Sequence, residues 1–180
     1  MHPDVQEILI SGEQIAQKVQ ELGQKISEDY RGKEILVVGI LKGAVVFMSD
    51  LIRHLTVPVK IDFMAVSSYG KGSESSGVVQ ILKDLSQNIE GRHVMVVEDI
   101  VDSGLTLKYM LDNLLTRKPA SLKICTLLDK PTRRRVDVAP DYNGFVIEDK
   151  FAVGYGLDYA EYYRNLGYIA VLRPEVYTKA

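Results

Sequence analysis

Residues 94–107, Val-Met-Val-Val-Glu-Asp-Ile-Val-Asp-Ser-Gly-Leu-Thr-Leu, restrict the fold more tightly than any other stretch of the chain. Val94, Met95, Val96 and Val97 form an unbroken apolar series. That is the pattern of a strand covered on both faces, and such strands belong to parallel sheets flanked by helices. Glu98 and Asp99 follow it with two carboxylates, which puts them at the carboxyl edge of the sheet. Ligands of open α/β sheets bind along that edge, so the pair reads as a candidate site rather than as ordinary surface charge.

Asp102, Ser103, Gly104 and Thr106 then supply hydroxyls and a backbone free to turn, just before Leu107, Met110, Leu111 and Leu114 set up a helical apolar stripe. Successive backbone N–H groups at such a helix start can hold a phosphate. Taken alone, Asp-Ser-Gly reads as an ordinary helix cap. A cap accounts for one acid, whereas Glu98, Asp99 and Asp102 gather three carboxylates around the turn. They would repel an anion unless a cation such as Mg²⁺ intervened.

The rest of the chain alternates between strand and helix patterns. Ser11 and Gln14 suit a capping box for a helix over residues 11–30, with Ile15, Val19, Leu22 and Ile26 on one face and Gly32 closing it. Apolar runs predict strands over residues 34–41, 59–69, 78–82, 121–130, 142–148 and 168–172, and a second helix over 45–55. Residues 70–77, rich in glycine and serine, read as a connecting loop, and their glycine-to-lysine spacing is not that of a triphosphate P-loop.

A chain of 180 residues fits one domain, and 46% hydrophobic content suffices for one buried core. A formal net charge of -2 argues against a nucleic-acid module driven by bulk charge, so phosphates must be met locally. Cys125, the single cysteine, lies in an apolar run and reads as a small buried hydrophobe. The first residues lack a basic segment followed by an apolar core, and no apolar run spans a bilayer. A cytoplasmic protein with no membrane contact is expected.

Residues 96–107 closely resemble the phosphoribosyl-pyrophosphate signature of the type I phosphoribosyltransferase family, in the form found in its bacterial hypoxanthine members. Leu41-Lys42-Gly43, Ser68-Tyr69-Gly70, Leu128-Asp129-Lys130-Pro131 and residues 149–159 look like that family's other motifs, in the right order. The resemblance implies an α/β fold with a mainly parallel central sheet flanked by helices, in a single domain over 1–180. A hood would come from the N-terminal segment and residues 150–180, and a flexible lid from about 68–78. It also implies Mg²⁺-dependent purine salvage: 5-phosphoribose passes from phosphoribosyl pyrophosphate to N9 of hypoxanthine, and of guanine, releasing pyrophosphate. The resemblance also implies a homodimer or homotetramer, with no nucleic-acid partner expected.

The same resemblance assigns residues to roles. Lys42 and Gly43 would present backbone amides to pyrophosphate, next to a Leu41–Lys42 peptide that can be cis. Ser68 and Tyr69 would close over the sugar and exclude water. Along the signature, Glu98, Asp99, Ile100, Val101 and Asp102 would line the substrate. Glu98 and Asp99 would hold ribose hydroxyls and metal, and Asp102 would accept a proton at purine N7. Ser103, Gly104, Leu105 and Thr106 would bind the 5′-phosphate. Lys130 would donate to the 6-oxo group, which separates such purines from adenine. Lys150, Phe151 and Ala152 would line the base, with the Phe151 ring stacked on it. Asp158 would make a further Mg²⁺ contact through water or pyrophosphate, and Arg164 would bind the leaving pyrophosphate.

Without the family, the same residues read more plainly: Lys42 as a solvated lysine beside a glycine turn, Lys130 as surface charge, Phe151 as core filling. Arg133, Arg134 and Arg135 read as a solvated turn with no catalytic role. Two other activities fit the pattern: a phosphoribosyltransferase preferring xanthine, and a regulatory RNA-binding protein that retains a phosphoribosyl-pyrophosphate pocket.

Overall fold

A computed structural model of the chain describes residues 2–69 and 78–177, with Ser68, Tyr69 and Val78 described by their backbone only. The expected lid over 68–78 therefore lies almost wholly outside the described residues, as do the side chains of Ser68 and Tyr69.

The strands are β1 (Val5–Ile10), β2 (Ile35–Leu41), β3 (Val59–Tyr69), β4 (Val78–Lys83), β5 (His93–Val101), β6 (Ser121–Asp129), β7 (Tyr142–Val146), β8 (Ala152–Val153) and β9 (Ile169–Leu172). The helices are α1 (Gly12–Asp29), α2 (Val45–Arg53), α3 (Leu105–Leu115) and α4 (Pro174–Tyr177). Six strands form the main sheet in the order β4-β3-β2-β5-β6-β7. Every pair in it is parallel except β3 with β4. This is the mainly parallel α/β fold that residues 94–97 require.

The unbroken apolar runs arise because β2 and β5 are covered on both faces. Ile35, Val37, Met95 and Val97 join a core with Ile15, Val19, Leu22 and Ile26 of α1 and with Phe47, Met48 and Leu51 of α2. Leu36, Val38, Val94 and Val96 point the other way, into a core with Leu107, Met110 and Leu114 of α3. Each such side chain contributes roughly 1.5–3 kcal/mol on burial, so both faces of the central strands are held firmly. Cys125 is fully buried among them.

At the start of α1, Ser11 Oγ accepts from Gln14 N (3.2 Å) and Gln14 Oε1 accepts from Ser11 N (2.8 Å), the reciprocal box its sequence predicts. A second, antiparallel sheet in the order β1-β9-β8 ties the N-terminal segment to residues 152–172. The sequence pattern did not indicate β1 or β8. In Val-Gln-Glu-Ile-Leu-Ile only Val5 and Ile10 are buried, so no period of two is visible, and pairing with β9 defines the strand instead. Among the described residues, no helix is long and apolar enough to cross a membrane.

Candidate active site

The candidate residues meet where β2 and β5 part company. The last β2–β5 pair is Gly39 with Val97, yet β5 continues beside β6 as far as the pair Val101 with Asp129. Glu98 and Asp99 sit on that unshared continuation, so the crevice beside them is open toward the end of β2. This corrects the expectation that the acids terminate the strand: they lie within it, and the pairing with β2 is what ends. Both are partly buried. Burial pushes the Glu98 carboxyl well above its ordinary range, and the neighbouring Asp99 charge adds to the effect. Asp99 is raised to about 6, again chiefly by burial; hydrogen bonds from backbone N–H groups and the nearby Arg164 charge oppose the rise. Ile100 N donates to Asp99 Oδ1 at 2.8 Å.

The turn after β2 closes one side of the crevice, and its Leu41–Lys42 peptide is cis. A Cβ on Gly43 would lie 1.7 Å from Asp99 Oδ2, so any larger residue there would push the carboxylate out of its place beside this turn. Ala44 is fully buried at the start of α2. Facing this turn is the segment that carries Asp158 and Arg164. The Arg164 guanidinium donates to Gly156 O at 2.8 Å and pairs with Asp158 Oδ1 at 2.9 Å. Its buried Nε has no hydrogen-bond partner. Lys42 Nζ, on the other side, pairs with Glu161 Oε2 at 2.8 Å, and the same oxygen is 3.5 Å from Arg164.

Beyond β5, the loop 102–104 leads into α3 through Gly104, at φ +79, a left-handed conformation that glycine adopts without strain. Gly104 has no side chain to cap the first-turn amides, and Ser103 Oγ reaches only Leu105 N, at 3.4 Å. Thr106 follows in the first turn, so the hydroxyls of Ser103 and Thr106 flank an anion-favouring helix start. Val101 is buried, and its carbonyl accepts from Lys130 N at 3.0 Å. Asp102 stands apart from the other two acids of the signature, because its Oδ1 accepts from Arg133 Nε at 3.1 Å.

The arginine run is the solvated turn that its sequence indicates at Arg133 and Arg135, which are exposed, but not at Arg134. Pro131–Arg133 forms a short 3₁₀ helix, after which Arg134 folds back with its side chain only 14% exposed. It donates to the Asp102 carbonyl at 2.6 Å and pairs with the buried Asp129 carboxylate. Arg135 N donates to Ser103 O at 2.9 Å, so this segment braces the loop from outside.

On the base side, Lys130 is 6% exposed and ends 3.6 Å from Asp149 Oδ1, so it is no surface charge. Asp149 also pairs with Arg133 at 3.1 Å, which links Lys130, Asp149, Arg133 and Asp102 in one chain of charges. Phe151 is 51% exposed, the opposite of core filling, with its ring edge-on to Tyr159 (5.8 Å) and tilted against Tyr177 (6.4 Å). Ala152 is buried in β8, and the Lys150 ammonium turns to Glu7 of β1 at 2.6 Å.

Among the described residues, no three carboxylate, imidazole or thiolate groups form a cage for a metal. Glu98, Asp99 and Asp158 therefore do not converge as a closed ligand set. The donor chemistry still fits Mg²⁺, a hard cation that keeps several waters and binds through one or two carboxylates and substrate phosphates. The orphaned Arg164 N–H likewise fits an anionic ligand. A groove walled by Gln24, Arg31, His54 and Pro58, at the amino-terminal edge of the sheet, contains none of the candidates. Sequence reasoning missed Glu161, Arg133, Arg134 and Asp149, whose roles depend on partners distant in the chain.

The chain matches the family model described as phosphoribosyl transferase domain over residues 5–160. It is 52% identical to the hypoxanthine-guanine phosphoribosyltransferase of Bacillus subtilis (strain 168), over 98% of both chains. It is also 52% identical, over 99% of its length, to the bifunctional protein TilS/HprT of Listeria monocytogenes, and spans only 28% of that relative. A solved hypoxanthine phosphoribosyltransferase from Staphylococcus aureus superposes with a TM-score of 0.95 at 52% identity, covering 98% of this chain and 96% of that one. On this likeness in sequence and in fold, the chain belongs to the phosphoribosyltransferase family.

Proposed function

We propose that the chain transfers 5-phosphoribose from phosphoribosyl pyrophosphate to N9 of hypoxanthine, and of guanine, as a Mg²⁺-dependent enzyme of purine salvage. The observation that carries this reading is the 52% identity to the Bacillus subtilis enzyme over 98% of both chains, a span that includes the whole stretch from Lys42 to Arg164. We assign it to the cytoplasm as a homodimer or homotetramer, a single domain whose hood is the N-terminal segment with residues 150–180 and whose lid is 68–78.

The Phe151 ring, exposed beside Tyr159, offers a stacking face to the purine. The buried Lys130 ammonium donates to the 6-oxo group and finds no acceptor in the amino group of adenine. Loop 103–106 receives the 5′-phosphate through hydroxyls and helix amides. As the ribose carbon takes on oxocarbenium character, Asp102 accepts the proton that the attacking purine loses at N7. Glu98 and Asp99 hold the ribose hydroxyls, and Arg164 with the Lys42–Gly43 backbone receives the departing pyrophosphate. Glu98 and Asp99, together with Asp158, would hold Mg²⁺, which when bound would supply positive charge for that leaving group.

A panel of hypoxanthine, guanine, xanthine and adenine with phosphoribosyl pyrophosphate, run with and without Mg²⁺, tests the reading. Nucleotide formation from hypoxanthine and guanine, lost when the metal is chelated, is the expected result. No nucleotide from any base, alongside salt-sensitive RNA binding, would overturn it.

A further inference from the structure

Resting on the reading of Arg164 and the Lys42–Gly43 backbone as the pyrophosphate contacts, we propose that Glu161 competes internally with the pyrophosphate for the Arg164 guanidinium and the Lys42 ammonium beside it, holding the place of the anion and helping to expel it. One Glu161 oxygen lies 2.8 Å from Lys42 Nζ and 3.5 Å from the Arg164 guanidinium, bridging groups on opposite walls of the crevice. A pyrophosphate oxygen joining the same cations would have to displace it.

The local backbone aims the carboxylate there. Tyr159 and Tyr162 exchange backbone hydrogen bonds at 3.2 and 3.0 Å, and Asp158 Oδ2 accepts from Glu161 N at 2.9 Å. Together they hold Glu161 at φ +70. Glycine would occupy that conformation without strain, whereas a residue with a Cβ costs on the order of 1–2 kcal/mol there. Ala160 and Tyr163 in the same segment also stand at positive φ, +51 and +74, so the conformation belongs to the turn, and what Glu161 adds to it is a negative charge.

The pair is also weak enough to yield. Lys42 and Glu161 side chains are 68% and 64% exposed, so water screens them and the bond opens readily. Arg164 is better fixed, because Asp158 and the Gly156 carbonyl hold it when Glu161 swings away. Its buried Nε has no hydrogen-bond partner among the described residues. The two cations are thus balanced by Glu161, exposed to pyrophosphate when the glutamate leaves, and reclaimed as the product departs.

The test measures binding directly: titration calorimetry of pyrophosphate on the full chain, without purine, together with product inhibition. Glu161→Gln keeps the shape and removes the charge, while Glu161→Gly removes the side chain and relieves the backbone. Both are expected to bind pyrophosphate roughly three- to tenfold more tightly than the parent and to show a correspondingly lower inhibition constant and KM for phosphoribosyl pyrophosphate. Unchanged or weaker binding in both variants, with the parent binding normally, would mean that Glu161 organises the cations or is incidental, and would overturn the proposal alone. A parent that binds no pyrophosphate overturns the proposal and the underlying reading together.

Discussion

Asp102 illustrates how one side chain can be tied to structure and still be free for chemistry. Its carboxylate accepts a single bond from Arg133 and keeps 43% of its side-chain surface open, while its backbone carbonyl is bound by Arg134. The main chain is anchored and the reactive oxygens are available. Asp102→Asn retains the oxygen that Arg133 contacts and loses the capacity to take a proton. Steady-state kinetics should therefore show kcat lower by roughly 10²- to 10⁴-fold, with the KM for hypoxanthine within about threefold of the parent. An unchanged kcat would remove the proton-acceptor role. Asp102 was legible because it stands in a compact signature with Glu98 and Asp99. Glu161 and Arg133 were not, because each takes its meaning from a partner across the crevice, 119 and 31 positions away.

At the scale of elements, the strands buried on both faces announced themselves, since a run such as Val94–Val97 serves two cores at once and admits no polar residue. Strand β1 was hidden because it is defined by antiparallel pairing with β9, more than 150 residues away by number, rather than by its own pattern. The brace on the phosphate loop was misread for a related reason. A tri-arginine sequence carries no sign that its middle member will fold inward onto Asp129 and the Asp102 carbonyl. Removing that arginine leaves the Asp129 carboxylate, whose side chain is 9% exposed, with a 3.3 Å bond from Asn143 as its one remaining side-chain contact among the described residues. Arg134→Met is expected to destabilise the protein by about 3–5 kcal/mol in denaturant unfolding, because it strands a buried charge. It should also raise the KM for phosphoribosyl pyrophosphate, since loop 102–104 loses its outer support. A stability loss below ~1 kcal/mol would show that the brace is dispensable.

For the molecule as a whole, the crevice is a place where function opposes stability. Folding draws Glu98 and Asp99 out of water beside one another, and both carboxyls are raised: Asp99 to about 6 from an ordinary 3.8, Glu98 well above its usual range. An acid whose pKa rises on folding binds protons more tightly in the native state. Below about pH 4 both states are protonated and nothing is lost; as pH climbs through 4 to 6 and beyond, ionisation favours the unfolded chain. Glu98→Gln removes one of the two charges. In thermal melts near pH 7.5, without substrate or metal, the variant should be more stable by on the order of 1–3 kcal/mol, allowing for the water that reaches this partly buried group. In a chain of 180 residues that corresponds to a Tm higher by roughly 2–10 °C. The gain should vanish near pH 4, where the parent carboxyl is already neutral, and activity should fall because a metal-holding and ribose-holding oxygen is gone. A gain of equal size at both pH values would trace the effect to packing rather than to buried charge. A loss at pH 7.5 would mean that the native crevice accommodates the Glu98 charge better than water does.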